Sequence, residues 1–133
     1  MAINSPFRTS ADLVLDVLKN LQVYSVGNPV DPEDFAFVNE KLDPTLRKLA
    51  MLEVVYVPDT NNIPGAWFSD LSDILAGECA SRFGFKGQDL MDIVNKGLGG
   101  SAGVEIGAGT AAKSLKIGGR GRPTYEIQRI QNF

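Results

Sequence analysis

The sequence predicts an all-α fold: a small antiparallel bundle of about four helices, then a glycine-rich segment and an extended C-terminal arm. Three observations lead there. Apolar residues recur at three- and four-residue spacing in successive stretches before residue 97. Residues that start and stop helices bracket those stretches. Strand-like composition is confined to one short run, Val54-Val55-Tyr56-Val57, which directly follows a helical pattern.

The first helix opens at Thr9 or Ser10, since Thr9-Ser10-Ala11-Asp12 has the form of a capping box with Asp in place of Glu. Leu13, Val14, Val17, Leu18 and Leu21 form its apolar face, and Gly27-Asn28-Pro29 supplies a stop. The second helix starts at Asp31-Pro32-Glu33-Asp34, where Asp caps, Pro takes the first helical position and the acids suit the dipole. Its stripe runs through Phe35, Val38, Leu42, Leu46, Leu49, Ala50 and Leu52. Pro44 interrupts that stripe, which leaves one kinked helix or two helices meeting at Asp43.

A polar loop from Pro58 to Gly65 leads to the third helix, from Pro64 or Ala66 to Phe83. Trp67, Leu71, Ile74, Leu75, Cys79 and Phe83 share one face, and Gly84 closes it. Cys79 reads as a small buried hydrophobe. A fourth helix opens near Gln88, with Leu90, Ile93, Val94 and Leu98 on its apolar side.

After Asn95 the helical pattern deteriorates, with six glycines between residues 97 and 109. Each glycine inside a helix costs about 0.8–1.0 kcal/mol relative to alanine, so an isolated helix is not expected. Two readings stand: a loop, or a small-residue helix that forms only when packed on other surfaces. From residue 115 onward, basic and apolar residues alternate with glycines in a stretch too short for a core of its own. The expected organisation is a helical body over 1–96, a glycine-rich segment over 97–114 and a basic docking arm over 115–133.

The net charge of −3 is unevenly spread. Residues 1–112 carry eight Lys/Arg against fifteen Asp/Glu, or −7, and residues 113–133 carry five against one, or +4. An acidic body with a basic tail suits a tail that docks on an acidic surface, a neighbouring copy's included, or on nucleic acid. Lys116, Arg120, Arg122, Tyr125, Ile127, Arg129, Ile130 and Phe133 are the candidate docking residues. They combine apolar anchors with guanidinium groups that pair carboxylates in a forked geometry.

Composition removes most catalytic chemistry. There is no histidine and one cysteine, which excludes a His-based triad, a His-containing zinc site and an internal disulfide. The acid pairs Glu33/Asp34, Asp70/Asp73 and Asp89/Asp92 sit in first or second helical turns, where capping and the dipole account for them. Gly107-Ala108-Gly109-Thr110-Ala111-Ala112-Lys113-Ser114 approaches a phosphate loop, but alanine precedes the lysine and no strand leads in. No catalytic, cofactor or metal site is therefore expected. No apolar run reaches the roughly 18 residues of a membrane span, and Met1-Ala2-Ile3-Asn4-Ser5-Pro6 lacks the regions of a signal peptide.

As a whole, the layout resembles the head-to-tail adaptors of tailed bacteriophages, especially the packaged-DNA stabilisation proteins of short-tailed phages. The resemblance rests on the opening helix from Thr9 to Leu18, the helix from Asp31 to Leu52, the Ala66-Trp67-Phe68 to Phe83-Gly84 helix, and the glycine-rich segment and arm that follow. The glycine richness after Gly84 departs from the more usual polar helix. The resemblance implies a ring, usually of twelve copies, that docks beneath the portal protein, receives a downstream tail protein and continues the DNA channel. It implies a virion protein of the head-tail junction, assembled in the host cytoplasm and concerned with genome packaging and ejection. Negative walls would then let DNA pass without specific recognition. A soluble helical scaffolding or regulatory protein, and a weak non-specific DNA-binding helical module, are the competing readings.

Overall fold

The computed structural model describes residues 7–24, 27, 29–101 and 103–117, of a predominantly helical chain. Among these residues the order is β1 (Phe7–Arg8), α1 (Ser10–Asn20), α2 (Pro32–Met51), β2 (Ile63–Pro64), α3 (Gly65–Cys79), a 3-10 turn (Ala80–Phe83), α4 (Gly87–Lys96) and α5 (Thr110–Ile117).

Local chemistry sets the helix starts. Thr9 caps α1 through a complete capping box: its hydroxyl accepts from the Asp12 amide, and the Asp12 carboxylate accepts from the Thr9 amide, both at 3.2 Å. Asp31 caps α2 by accepting from the Glu33 amide at 2.9 Å, with Pro32 in the first turn. Pro44 neither splits nor ends α2, which runs unbroken through it from Pro32 to Met51. Val38, Leu42, Leu46 and Leu49 are buried on both sides of the proline, so packing of this face outweighs the missing amide.

The end of α1 differs from expectation. It stops at Asn20, seven residues before Gly27, and α2 stops in the same way. After each helix one non-glycine residue takes the left-handed conformation, Gln22 at φ 63° and Glu53 at φ 58°. The Val23 amide then donates to Leu18 O and the Val54 amide to Leu49 O, both at 2.9 Å, while Gln22 and Glu53 donate to Lys19 O and Ala50 O. This is the Schellman arrangement, here without glycine. Val54 and Val55 follow directly into the core but form no strand. The strand pair that does form is two residues long and antiparallel, with Phe7 opposite Pro64 and Arg8 opposite Ile63.

Helix α3 is the central element. It packs against α1, α2, α4 and α5, and its Leu71, Ile74, Leu75, Ala76 and Cys79 are almost completely buried. One core joins Leu13, Val14, Val17 and Leu18 of α1, Val38, Leu42, Leu46 and Leu49 of α2 and these α3 residues, while Ala50 of the expected stripe is exposed near the end of α2. Leu98, Ala111, Ala112 and Leu115 belong to the same core.

That last group changes the expected organisation. The division at residues 96 and 97 falls inside the core, and the division at 114 and 115 falls inside α5. Neither expected alternative holds in full: the described residues of 97–109 are turns and irregular chain, and α5 follows them. Packing is what makes this possible. Gly97 lies so near α3 that an added methyl would sit 2.6 Å from Asp73 O and 2.7 Å from the Ile74 Cα. Gly109 in turn lies against the Gly97 carbonyl and the Gly99 amide. The glycines remove side chains where three backbone segments meet. The Ala112 amide donates to Gly97 O at 3.1 Å, which fastens α5 to the end of α4.

Candidate interaction surface

The fifteen acidic residues before residue 113 all reach the surface, and none is buried. This follows from their placement in caps, first turns and helix faces away from the core. Several are committed to local bonds. Asp92 accepts from Gln88 Nε2 at 2.8 Å, Asp43 pairs with Arg47 at 3.0 Å on the exposed side of α2, and Glu78 of α3 pairs with Lys48 of α2 at 3.0 Å. The last is the most sheltered of these pairs and ties two core helices together.

Several basic side chains lie over aromatic rings. The Arg82 guanidinium is 4.6 Å from the centre of Phe37, Lys41 Nζ is 5.6 Å from it, and Phe83 meets the same ring edge-on at 6.1 Å. Arg8 lies 4.7 Å from the centre of Phe68. Such stacking covers the rings with polar groups and restrains the cations. No spacing rule in the sequence joins Phe37 and Lys41 to Arg82 and Phe83, because the contact is made across two elements.

Asp73 makes another link of this kind. Its Oδ1 accepts from Asn20 Nδ2 of α1 at 3.0 Å and lies 3.8 Å from Lys96 Nζ of α4. These groups line a cavity of about 140 Å³ with Leu21, Gln22, Ala76, Phe85 and Ile93. The sequence reading put Asp70 and Asp73 in the first or second turn of their helix, where the dipole accounts for them. Instead α3 starts at Gly65 with no acid in its first turn, and Asp73, further along, is held by partners far away in the chain.

The phosphate-loop likeness can be judged on geometry. The amides of Gly107 and Gly109 both donate to Leu98 O, at 2.8 and 3.0 Å. Ala108 donates to Glu105 O, Ala112 to Gly97 O and Lys113 to Gly109 O. A phosphate cradle needs these amides pointing outward. Here they hold the loop to the body.

Cys79 is fully buried, and burial pushes its thiol up to about 12 from 9.0, with Lys41 lowering it and Glu78 raising it by smaller amounts. The sulfur is a packed thiol, inert as a nucleophile. Among the described residues, no group of three or more Cys, Asp or Glu stands ready to hold a metal ion, and no helix is long and apolar enough to cross a membrane.

Of the predicted docking residues, Lys116 is placed in α5, half-buried, with its Nζ 3.2 Å from the point where a side chain on Gly107 would begin. It belongs to the folded body, as does the fully buried Leu115 beside it. The arm therefore begins no earlier than the end of α5. Arg120, Arg122, Tyr125, Ile127, Arg129, Ile130 and Phe133 lie outside the described residues.

Comparison with known proteins yields no match: no family model fits the chain, and no curated protein or solved structure aligns with it.

Proposed function

We propose that this protein is a structural, non-enzymatic head-to-tail adaptor. In this reading α1 to α4 pack as an antiparallel bundle, and copies assemble into a ring beneath a portal protein, twelve by the family resemblance. The ring joins the portal to a downstream tail protein and continues the channel through which DNA is packaged and ejected. The protein would act in the virion at the head-tail junction after assembly in the host cytoplasm.

The observation that carries the reading is the segregation of charge. An acidic body displays every one of its carboxylates at the surface, and three arginines of the basic stretch follow the last described helix. Such a body repels phosphates, which suits a conduit, and the arginines suit a docking arm. The inward packing of Cys79 and the internally committed amides of Gly107, Ala108, Gly109, Ala112 and Lys113 fit a protein whose work is done by surfaces.

The test is to mix the full chain with a portal assembly and examine it by negative-stain microscopy and light scattering. Added density on one face of the portal, in a ring of fixed mass, is the expected result. A chain that stays separate from the portal at all concentrations overturns the proposal. Binding to DNA that falls steeply between about 50 and 200 mM salt, without portal binding, would favour the DNA-binding module instead.

A further inference from the structure

The cavity around Asp73 has the chemistry of a receptor for a basic side chain. Its carboxylate is mostly sheltered, its side chain being 18% exposed, and both of its contacts are made by Oδ1. Oδ2 makes no hydrogen bond or ion pair among the described residues. Lys96 is only a loose partner: its side chain is 63% exposed and its Nζ stands 3.8 Å away, a long distance for an ion pair. Leu21, Ala76, Phe85 and Ile93 give the cavity apolar walls, while Asn20 and Gln22 supply amides. A carboxylate at the side of an apolar cavity of about 140 Å³ matches an arginine, with its aliphatic stem and planar guanidinium.

We propose that this cavity receives an arginine from residues 118–133 of a second copy of the chain. The inference rests on the reading that copies adjoin in a ring. Two further arguments support the choice of occupant. The body over residues 1–117 carries ten Lys/Arg against fifteen Asp/Glu, a net −5, so copies repel one another. Residues 118–133 carry Arg120, Arg122 and Arg129 against Glu126, a net +2 that offsets part of that repulsion. Sixteen residues follow Ile117 and span about 50 Å when extended. A folded domain of this size is roughly 35 Å across, so the segment is long enough to reach past its own body.

The experiment uses the full chain and a synthetic peptide of residues 118–133, titrated by calorimetry at about 50 mM salt with no portal present. Saturable binding is expected. It should weaken at least about tenfold with Asp73→Asn, and equally with Ala76→Leu, which fills the cavity and leaves the carboxylate in place. On the unaltered chain, a peptide with all three arginines changed to glutamine should bind no more than a tenth as tightly. Asp92→Asn removes the same charge outside the cavity and should change affinity by less than about threefold. Absence of saturable binding both to the unaltered chain and to the chain with Arg120, Arg122 and Arg129 changed to glutamine, equal losses from Asp73→Asn and Asp92→Asn, or full affinity of the arginine-free peptide would each overturn the proposal. Binding that appears only when the chain's own Arg120, Arg122 and Arg129 are changed to glutamine, with the unaltered chain monomeric by light scattering, would show the cavity filled by the chain's own arm, which also overturns it. The same result with the unaltered chain associated and the altered chain monomeric is what the proposal expects. Because no portal takes part, failure here is distinct from failure of the adaptor reading.

Discussion

Single residues in this chain separate into those whose role is backbone geometry and those whose role is packing. Gln22 and Glu53 hold left-handed positions that glycine fills at no steric cost. Changing Glu53 to glycine should therefore stabilise the protein, by up to about 1 kcal/mol, as a shift in the urea midpoint. The opposite is expected at Gly97. A methyl there meets the α3 backbone at 2.6 Å, and helices cannot move apart locally without opening the core. Gly97→Ala should cost about 3 kcal/mol or more, measured in the same way. Cys79 gives a pH-dependent test. Its thiol stays protonated in the folded chain up to about 12, while the unfolded thiol ionises near 9.0. A raised pKa means stability present below the unfolded value and lost above it, so this residue should lower stability as pH rises from about 9 toward 12. Thiol reagents at pH 8 should label Cys79 slowly in native protein and rapidly in denaturant.

At the scale of elements, what the sequence made legible was what depends on neighbours a few residues apart. The Thr9 and Asp31 caps, the apolar faces of α1 and α2, and the closing Gly84 are all read from local spacing. The helix ends at Asn20 and Met51 were not, because a Schellman turn without glycine leaves no distinctive residue behind. Nor was the continuity of α2, where intrinsic preference and burial oppose one another at Pro44. Since Pro44 is exposed and breaks the amide ladder, Pro44→Ala should stabilise the protein by about 1–3 kcal/mol while leaving α2 at the same length. A thermal melt with circular dichroism tests both parts, and a loss of stability would show that the proline fixes the path of α2. The glycine-rich stretch was the hardest to read. Its order comes from contacts between Gly97, Gly109 and α3, and residues so distant in sequence carry no periodic signal. The same reason hides the Asp73 link to Asn20 and Lys96.

For the whole molecule, the reading turns on where the folded body ends and the interacting segment begins. Sequence pattern put that boundary near residue 97, because six glycines resemble the start of a linker. The structure carries the body at least to Leu115 in α5, since Ala111, Ala112 and Leu115 are core residues. The charge asymmetry was legible from composition, but its assignment to parts of the molecule was only partly so: Lys116 is in the body, and Arg120, Arg122 and Arg129 follow it. A chain ending after residue 109 should thus lose cooperative unfolding, because the core beside α3 is opened. A chain ending after Ile117 should keep the melting behaviour of the full protein.

The second truncation also tests the central claim, that a self-sufficient acidic body engages the portal through the segment after α5. The decisive measurement is co-sedimentation of the 1–117 chain and the full chain with a portal assembly, at matched concentrations. The account predicts an unchanged melting transition for both, with portal association for the full chain alone. Equal association of the folded 1–117 chain would contradict it.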